Sequence, residues 1–323
     1  MTNPEVFPVV IVSKCLEFEA CRYDGVMITD SFVAALKPYV RFFPVCPEVE
    51  IGLGVPRPPI RIILSGKDRL LYQYITGEEF SREITGFVNR FLDSLSGIDG
   101  FILKCKSPSC GLRDARIYPD MEAKAPIERG AGFFGSRVHS RFAHLAVEDE
   151  RRLKNFRIRD HFLIKLFTLA RFRKLRENST MHKLIDFHSR NKLLFMAYNQ
   201  SKNRKLGAII ANHEHLDIEN AVNLYHQTLL EVLQSSPRPG ALINMMEHAF
   251  GGVSRNLTSD ERKFFKKCIE DYREKKIPLC TPVNLLHSWA MRFDLEYLKG
   301  QTFLEPYPLD LLDVSGSGKG MYL

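Results

Sequence analysis

Residues 7–15 read Phe-Pro-Val-Val-Ile-Val-Ser-Lys-Cys, a short β-branched run that ends on a thiol. Side chains branched at Cβ are stiff and fit a pleated strand better than a helix. The pattern recurs twice. Residues 39–45 (YVRFFPV) lead into Cys46-Pro47-Glu48, and residues 98–103 (IDGFIL) lead into the stretch 104–111 that carries Cys110. Residues 60–64 (IRIIL) and 70–75 (LLYQYI) read as further strands. Between these runs, 29–38 and 78–95 read as amphipathic helices, the second with Phe80, Ile84, Phe87, Val88, Phe91, Leu92 and Leu95 at the helical period. Strands alternating with helices predict an α/β domain with an open, mostly parallel sheet. Ligand sites in such sheets form beyond the carboxyl ends of strands. Cys15, Cys46 and Cys110, distant in sequence, are thereby expected on one edge of one sheet.

The second half changes character. Residues 149–175, 180–198, 217–234, 241–250, 259–275 and 282–298 carry helical periodicity, for example Phe162, Leu166, Leu169 and Phe172. No strand pair interrupts them, so this half is expected to be all-α. The boundary falls after the Gly-rich, loop-like 130–137, which gives a first domain over 1–150, a helical one over 151–310 and a flexible tail over 311–323. The tail's Gly-Ser-Gly-Lys-Gly lacks the spacing of a phosphate loop.

Length and composition agree. At roughly 150 residues per domain, 323 residues make about two domains, and 45% apolar content with 26% charged residues excludes a disordered chain or a fibre. The formal charge of +8 is unevenly placed. Residues 1–150 carry 18 Lys and Arg against 20 Asp and Glu, a net of −2. Residues 151–206 carry 16 against 3, a net of +13. A surface this basic suits a polyanion, although a solvated face is the plainer alternative. Arg171, Arg173, Lys174 and Arg176 fall on one helical stretch, Lys183, Arg190 and Lys192 on the next, and Lys202, Arg204 and Lys205 in an expected loop after it. All but Lys183 are taken as candidate nucleic-acid contacts.

The first residues lack the cationic start and apolar core of a signal peptide, and no run of 18 apolar residues occurs. A cytoplasmic protein with no membrane partner and no evident obligate protein partner is expected. Its seven cysteines are then reduced rather than paired in disulfides. Five lie within the first 110 residues, which suggests metal or catalytic use. Cys268 and Cys280 are expected to be small buried hydrophobes. His213 and His215 flank Glu214 at a spacing that does not share a helix face, so no metal is expected there. His188 has a core or capping role as its plain reading.

Three elements carry chemistry: Ser13-Lys14-Cys15-Leu16 followed by Cys21-Arg22-Tyr23-Asp24-Gly25; Pro44-Val45-Cys46-Pro47-Glu48; and Ser107-Pro108-Ser109-Cys110-Gly111. Structural zinc usually takes four ligands, often in Cys-x-x-Cys pairs, and no such pair occurs. Three thiolates can instead hold a 4Fe–4S cluster and leave one open iron, a Lewis acid for soft sulfur.

In this order the elements resemble the thiouracil desulfidase family, over roughly residues 7–150. A second resemblance covers roughly 155–310, through Leu184-Ile185-Asp186-Phe187-His188-Ser189-Arg190 and Gln301-Thr302-Phe303-Leu304-Glu305-Pro306-Tyr307-Pro308, to a helical YbgA-like domain. The fused form is similar to bacterial tRNA 4-thiouridine desulfidases. The resemblance implies a 4Fe–4S cluster bound by Cys15, Cys46 and Cys110 with one open iron. It implies Glu48 and Ser107 as the catalytic carboxylate and hydroxyl, and tRNA containing 4-thiouridine as the partner. Arg22 and Tyr23 become candidate substrate contacts, with Phe134 a second ring to stack on an extruded base. Cys21 is common in the family without being counted a ligand, and Cys105 matches no family element. Glu17-Phe18-Glu19-Ala20 departs from the family pattern between Cys15 and Cys21. Two alternatives stay open: a desulfidase of free thiouracil or other small thio-nucleobases, and a non-catalytic RNA-binding adaptor with a structural metal.

Overall fold

The computed structural model describes residues 6–212 and 215–312. The expected tail beyond residue 312 and the pair His213 and Glu214 lie outside the described residues. The chain divides into two compact units, Met1–Lys154 and Asn155–Leu323.

The first unit begins with β1 (Val9–Ser13), α1 (Ser31–Leu36), β2 (Arg41–Val45) and a single helical turn, α2 (Pro47–Glu50). Next come β3 (Ile60–Ser65), β4 (Asp68–Gln73), β5 (Glu78–Glu79) and α3 (Ser81–Ser94). It closes with β6 (Gly100–Leu103), β7 (Ala115–Tyr118), β8 (Glu128–Gly130), α4 (Phe133–Phe142) and β9 (Ala146–Asp149). Four strands form an all-parallel sheet in the order β2-β1-β6-β9. Val10, Ile11 and Val12 of β1 are buried, as a strand covered on both faces requires. The chain leaves β1 for β2 on one side and later returns to β6 on the other. This reversal of strand order opens a crevice at the carboxyl ends.

A second sheet, in the order β5-β4-β3-β7-β8, was not expected as a separate layer. It is antiparallel except where β3 meets β7. The apolar runs at 60–64 and 70–75 pair with each other as a hairpin through Gly66, whose φ of +62° suits glycine. Ile60, Ile62, Leu71 and Ile117 share one core with Ile84, Val88 and Leu92 of α3 and with Ile11 and Phe101 of the parallel sheet.

The stretch 130–137 is not a loop: α4 begins at Phe133. Helix N-termini leave several N–H groups without intrahelical partners. Here they are taken by the loop after β6. Gly132 N donates to Gly111 O (2.8 Å), Phe133 N to Pro108 O (3.1 Å), and Phe134 N and Gly135 N to Ser109 O (2.9 and 3.0 Å). The approach is so close that a Cβ at Gly135 would lie 2.2 Å from Gly111 O, and one at Gly132 would lie 2.5 Å from Pro108 O. Phe134 is fully buried beside Phe91, with ring centroids 6.0 Å apart, so it is a core residue and not a platform for a base.

The second unit contains α5 (Phe156–Arg176), α6 (Met181–Tyr198), α7 (Gln200–Ala211), α8 (Ile218–Val232), α9 (Pro239–Val253), α10 (Ser259–Arg273), α11 (Cys280–Arg292) and α12 (Glu296–Lys299). Every residue from 162 to 170 on α5 is buried, so this stretch of the helix is covered on all sides. Phe172 stacks on Tyr225 (5.5 Å between ring centroids) and lies tilted against Phe187 (5.3 Å). His188 Nδ1 sits 3.1 Å from the Tyr225 hydroxyl, and burial pushes its pKa down to about 4, so it is a core histidine.

Three expectations are corrected. Lys202, Arg204 and Lys205 lie on α7, because the Asn199 side chain accepts from Lys202 N (3.0 Å) and starts a new helix directly after α6. The helix expected over 282–298 is broken at Asp294, which takes a φ of +53°. Cys280 is exposed at the start of α11, while Cys268 is buried. Among the described residues no helix is long and apolar enough to cross a membrane.

Because Gly135 has no room for a methyl group, Gly135→Ala is expected to lower the unfolding free energy by about 1–3 kcal/mol. Guanidinium denaturation reads this directly, and an unchanged midpoint would refute the close-approach account.

Candidate active site

At the carboxyl edge of the parallel sheet lies a cavity of about 290 Å³ lined by Cys15, Cys46 and Cys110. Each thiol arrives by its own strand. Cys15 follows β1, and Lys14 N to Val45 O (2.9 Å) and Ile28 N to Cys15 O (2.8 Å) hold its backbone. Cys46 follows β2 and caps the turn α2, where Pro47 fixes the first helical position. Cys110 lies on the loop after β6. There the Ser107 hydroxyl oxygen accepts from Ser109 N (3.2 Å) and Cys110 N (3.0 Å), while α4 grips the loop from its other side.

The thiols differ electrostatically. Burial pushes Cys15 up to about 12, with the Cys46 charge adding to it. Burial also pushes Cys110 well above the usual thiol range, against a hydrogen bond from Ser13. Cys46 is held down at about 7 because the Cys21 thiol donates to it, with Val49 N–H and Arg57 contributing, and Cys21 is correspondingly raised. Cys21 and Cys105 also line the cavity, so the chain brings five thiols to one place.

Glu48 enters the cavity from α2 and is fixed by two residues that sequence reasoning missed. Arg57 holds Oε2 through Nη2 (2.5 Å) and Nε (3.1 Å), and its Nη1 donates to Cys21 O (3.0 Å) and Gly54 O (3.1 Å). Ser109 Oγ donates to Glu48 Oε1 (2.8 Å). A carboxylate offers about four acceptor positions. These three bonds leave one, on Oε1. The only sequence hint of Arg57 is its place in the Pro-rich stretch 56–59. Ser109 sits inside a recognised element, but its direction toward Glu48 follows from the docking of α4.

Lys104 and Cys105 form part of the wall. Lys104 is ion-paired with Glu150, and Cys105 N donates to Glu150 Oε2 (2.7 Å). Burial raises Cys105 to about 11, with Glu150 acting in the same direction. Arg22 and Tyr23 reach the rim. Tyr23 is 43% exposed, and the Arg22 guanidinium lies 5.4 Å from the centre of its ring while pairing with Asp24 (3.3 Å).

Among the described residues no three His, Cys, Asp or Glu side chains close on one point as ligands of a single ion would. The thiols instead stand around a cavity. Soft thiolate donors on separate walls suit a polynuclear iron–sulfur group, and their chemistry fits it better than a hard cation.

The basic residues of the second unit fall into two kinds. Arg171 is half-buried and donates to Pro306 O (2.9 Å), so it ties down the chain near residue 306. Arg173 and Lys174 face Glu177 (4.0 and 2.6 Å), Arg176 donates to Asn223 (3.3 Å), Arg190 pairs with Asp186 (3.0 Å) and Lys202 with Glu231. Lys192, Arg204 and Lys205 are exposed.

Comparison with known proteins accounts for both units. Residues 10–150 match the model of the 2-thiouracil desulfurase family, and residues 192–308 match that of a family of unknown function, DUF1722. A solved structure of a 4Fe–4S-dependent thiouracil desulfidase is 29% identical over 45% of this chain and 93% of its own, with a TM-score of 0.38. The Escherichia coli (strain K12) protein YbgA is 30% identical over 154 residues, which is 47% of this chain and 91% of YbgA. The chain thus belongs to the YbgA family, with a 2-thiouracil desulfurase domain fused to its YbgA-like domain.

Proposed function

We propose that this chain is an iron–sulfur desulfidase that hydrolyses the C=S group of 4-thiouridine in tRNA, giving uridine and hydrogen sulfide. The observation that carries the proposal is the meeting of three strand-end thiols and an anchored carboxylate in one cavity. A 4Fe–4S cluster held by Cys15, Cys46 and Cys110 would supply a Lewis-acidic iron without a protein ligand, suited to a soft thiocarbonyl sulfur.

The remaining chemistry belongs to the side chains. Glu48 uses its remaining Oε1 position to accept a proton from the attacking water. Water oxygen bonds to the ring carbon, the C–S bond breaks, and both protons of the water finish on sulfide. Carbon and sulfur keep their oxidation states, so no electrons are exchanged. The Ser107 oxygen accepts from two backbone N–H groups, and its own hydrogen remains for the base or the departing sulfur. Tyr23 offers an exposed ring on which an extruded base can stack.

Support for RNA as the carrier of the base comes from the exposed cations of residues 151–206, among them Lys174, Arg190, Lys192, Arg204 and Lys205, in a stretch of net +13 whose Arg159 and Lys165 are buried. A small neutral thiopyrimidine needs no such surface. The pairing of Lys174, Arg190 and Lys202 with carboxylates does not oppose this. Exposed ion pairs contribute about 0.2–1 kcal/mol, so they yield readily to phosphate.

The test is anaerobic reconstitution with iron and sulfide, followed by incubation with bulk tRNA. A brown protein that removes the thiouridine absorbance band and releases matching sulfide is expected. A colourless protein, or intact thiouridine, overturns the proposal. Turnover of free thiouracil without turnover of tRNA would replace it with a small-substrate enzyme.

Glu48→Gln is expected to keep its iron and acid-labile sulfide yet lower kcat by about 10²–10⁴-fold. Arg57→Met, which leaves Glu48 without its cation in a site where the two side chains are 4% and 12% exposed, is expected to destabilise the metal-free protein by about 3–5 kcal/mol, read by denaturant melts. Replacing Lys202, Arg204 and Lys205 by Ala is expected to flatten the plot of log affinity for tRNA against log salt by about one unit for each phosphate no longer neutralised. An unchanged slope would remove these residues from the RNA surface.

A further inference from the structure

Strands β6 and β9 run parallel with Leu103 opposite Asp149. The next residue of each, Lys104 and Glu150, therefore leaves the sheet beside the other, at the edge that carries the thiols. Lys104 Nζ is ion-paired with Glu150 and also donates to the Cys105 carbonyl (3.1 Å) and to Cys105 Sγ (3.1 Å). Glu150 accepts from Cys105 N (2.7 Å) and lies 2.9 Å from Cys105 Sγ. The carboxylate is sealed behind the wall at 6% side-chain exposure, while Lys104 keeps 22% and lines the cavity.

Burying an ammonium and a carboxylate together is weak evidence of a stabilising role, because well-packed apolar residues often serve as well or better. A use at the cavity accounts for the pair. Of the other cations of the wall, Arg57 holds Glu48, Lys14 pairs with Glu19 (2.5 Å), Arg22 pairs with Asp24, and Lys106 is exposed, whereas the carboxylate that holds Lys104 does not line the cavity. In the proposed reaction Glu48 is an anion and Ser107 a neutral hydroxyl, so neither brings a positive charge to the leaving sulfur. As the C–S bond opens, negative charge gathers on sulfur in a partly enclosed space.

We infer that Lys104 is a further catalytic residue: its ammonium, held by Glu150 and the Cys105 carbonyl, turns the N–H that rests on Cys105 Sγ to the departing sulfur and stabilises the charge that develops there, with Glu150 and Cys105 as positioning residues. The inference rests on the desulfidase reading above. Lys104 acts as a fixed cation and not as an acid. Burial pulls its pKa down, but the hydrogen bond and charge of Glu150 outweigh this and hold it above the ordinary lysine value. The protons on sulfide come from water, and the atom balance is unchanged.

The test uses the reconstituted full chain and the variants Lys104→Met, Lys104→Arg and Glu150→Gln, each assayed for iron and acid-labile sulfide. Lys104→Met is expected to load normally and lose about 10²–10³-fold in kcat with KM changed by less than about threefold, the pattern of an interaction made in the transition state. Lys104→Arg should recover at least about tenfold of that loss, and added hydrosulfide should inhibit Lys104→Met more weakly than wild type. A kcat for Lys104→Met within about twofold of wild type overturns the inference, as does an Arg variant no better than the Met one. If Lys104→Met fails to load, Glu150→Gln decides, with a loss of about tenfold or more expected and wild-type turnover overturning the inference. An inactive wild-type protein strikes the desulfidase reading itself, so the two failures are distinguishable.

Discussion

The first turn of α4 on the loop 107–111 is the contact on which the site depends. A loop tip bearing a thiol would ordinarily sample many conformations, at an ordering cost of about 1–2 kcal/mol per residue. Here the loop carbonyls accept four N–H groups from 132–135, and the Ser107 oxygen takes two more from within the loop. Both faces of the backbone are thereby satisfied. Cys110 is aimed at the cavity, and Ser109 is left with its hydroxyl on Glu48. One docking event thus ties together the segment after β6, the helix before β9 and the carboxylate after β2.

Two ion pairs bracket the cavity, and they are built alike. Arg57 with Glu48 and Lys104 with Glu150 each set a charge by a buried partner and by backbone groups. They differ in what reaches the cavity. At the first both Glu48 and Arg57 line it, and at the second Lys104 does while Glu150 stays behind. A polar bond that is cleaved by adding water at one end and releasing an anion at the other needs both signs on opposite partners. The three thiols lie between these demands, two of them raised by burial and one lowered by a neighbouring thiol.

The strands that deliver the thiols were legible because each is an apolar run closed by its cysteine motif. The helical half was legible because its apolar residues recur at a helical period. What escaped were long-range partners. Arg57 and Ser109 are set against Glu48 by a turn and by a contact 61 residues away in sequence, and Glu150 reaches Lys104 across 46. No local pattern announces such pairs. Helix α4 was hidden for a physical reason: the glycines that lower helix propensity are the ones its close approach requires. The start of α7 was hidden because the polar stretch 200–205 has no apolar period, although Asn199 is a capping signal. Phe134 was taken for a ring that meets substrate, whereas a fully buried aromatic on α4 packs the core.

The same docking sets an order of assembly. A chain growing from its N-terminus has presented Cys15, Cys46 and Cys110 by residue 110, but the helix that aims the third thiol ends only at residue 142. The fourth strand of the sheet ends at residue 149, and Glu150 follows it. Until that point the thiols sit on an open, unfinished edge. The parts that complete the site are thus the last to be made in its unit: a chain of 110 residues holds all three thiols but lacks the helix that aims Cys110, the fourth strand and Glu150.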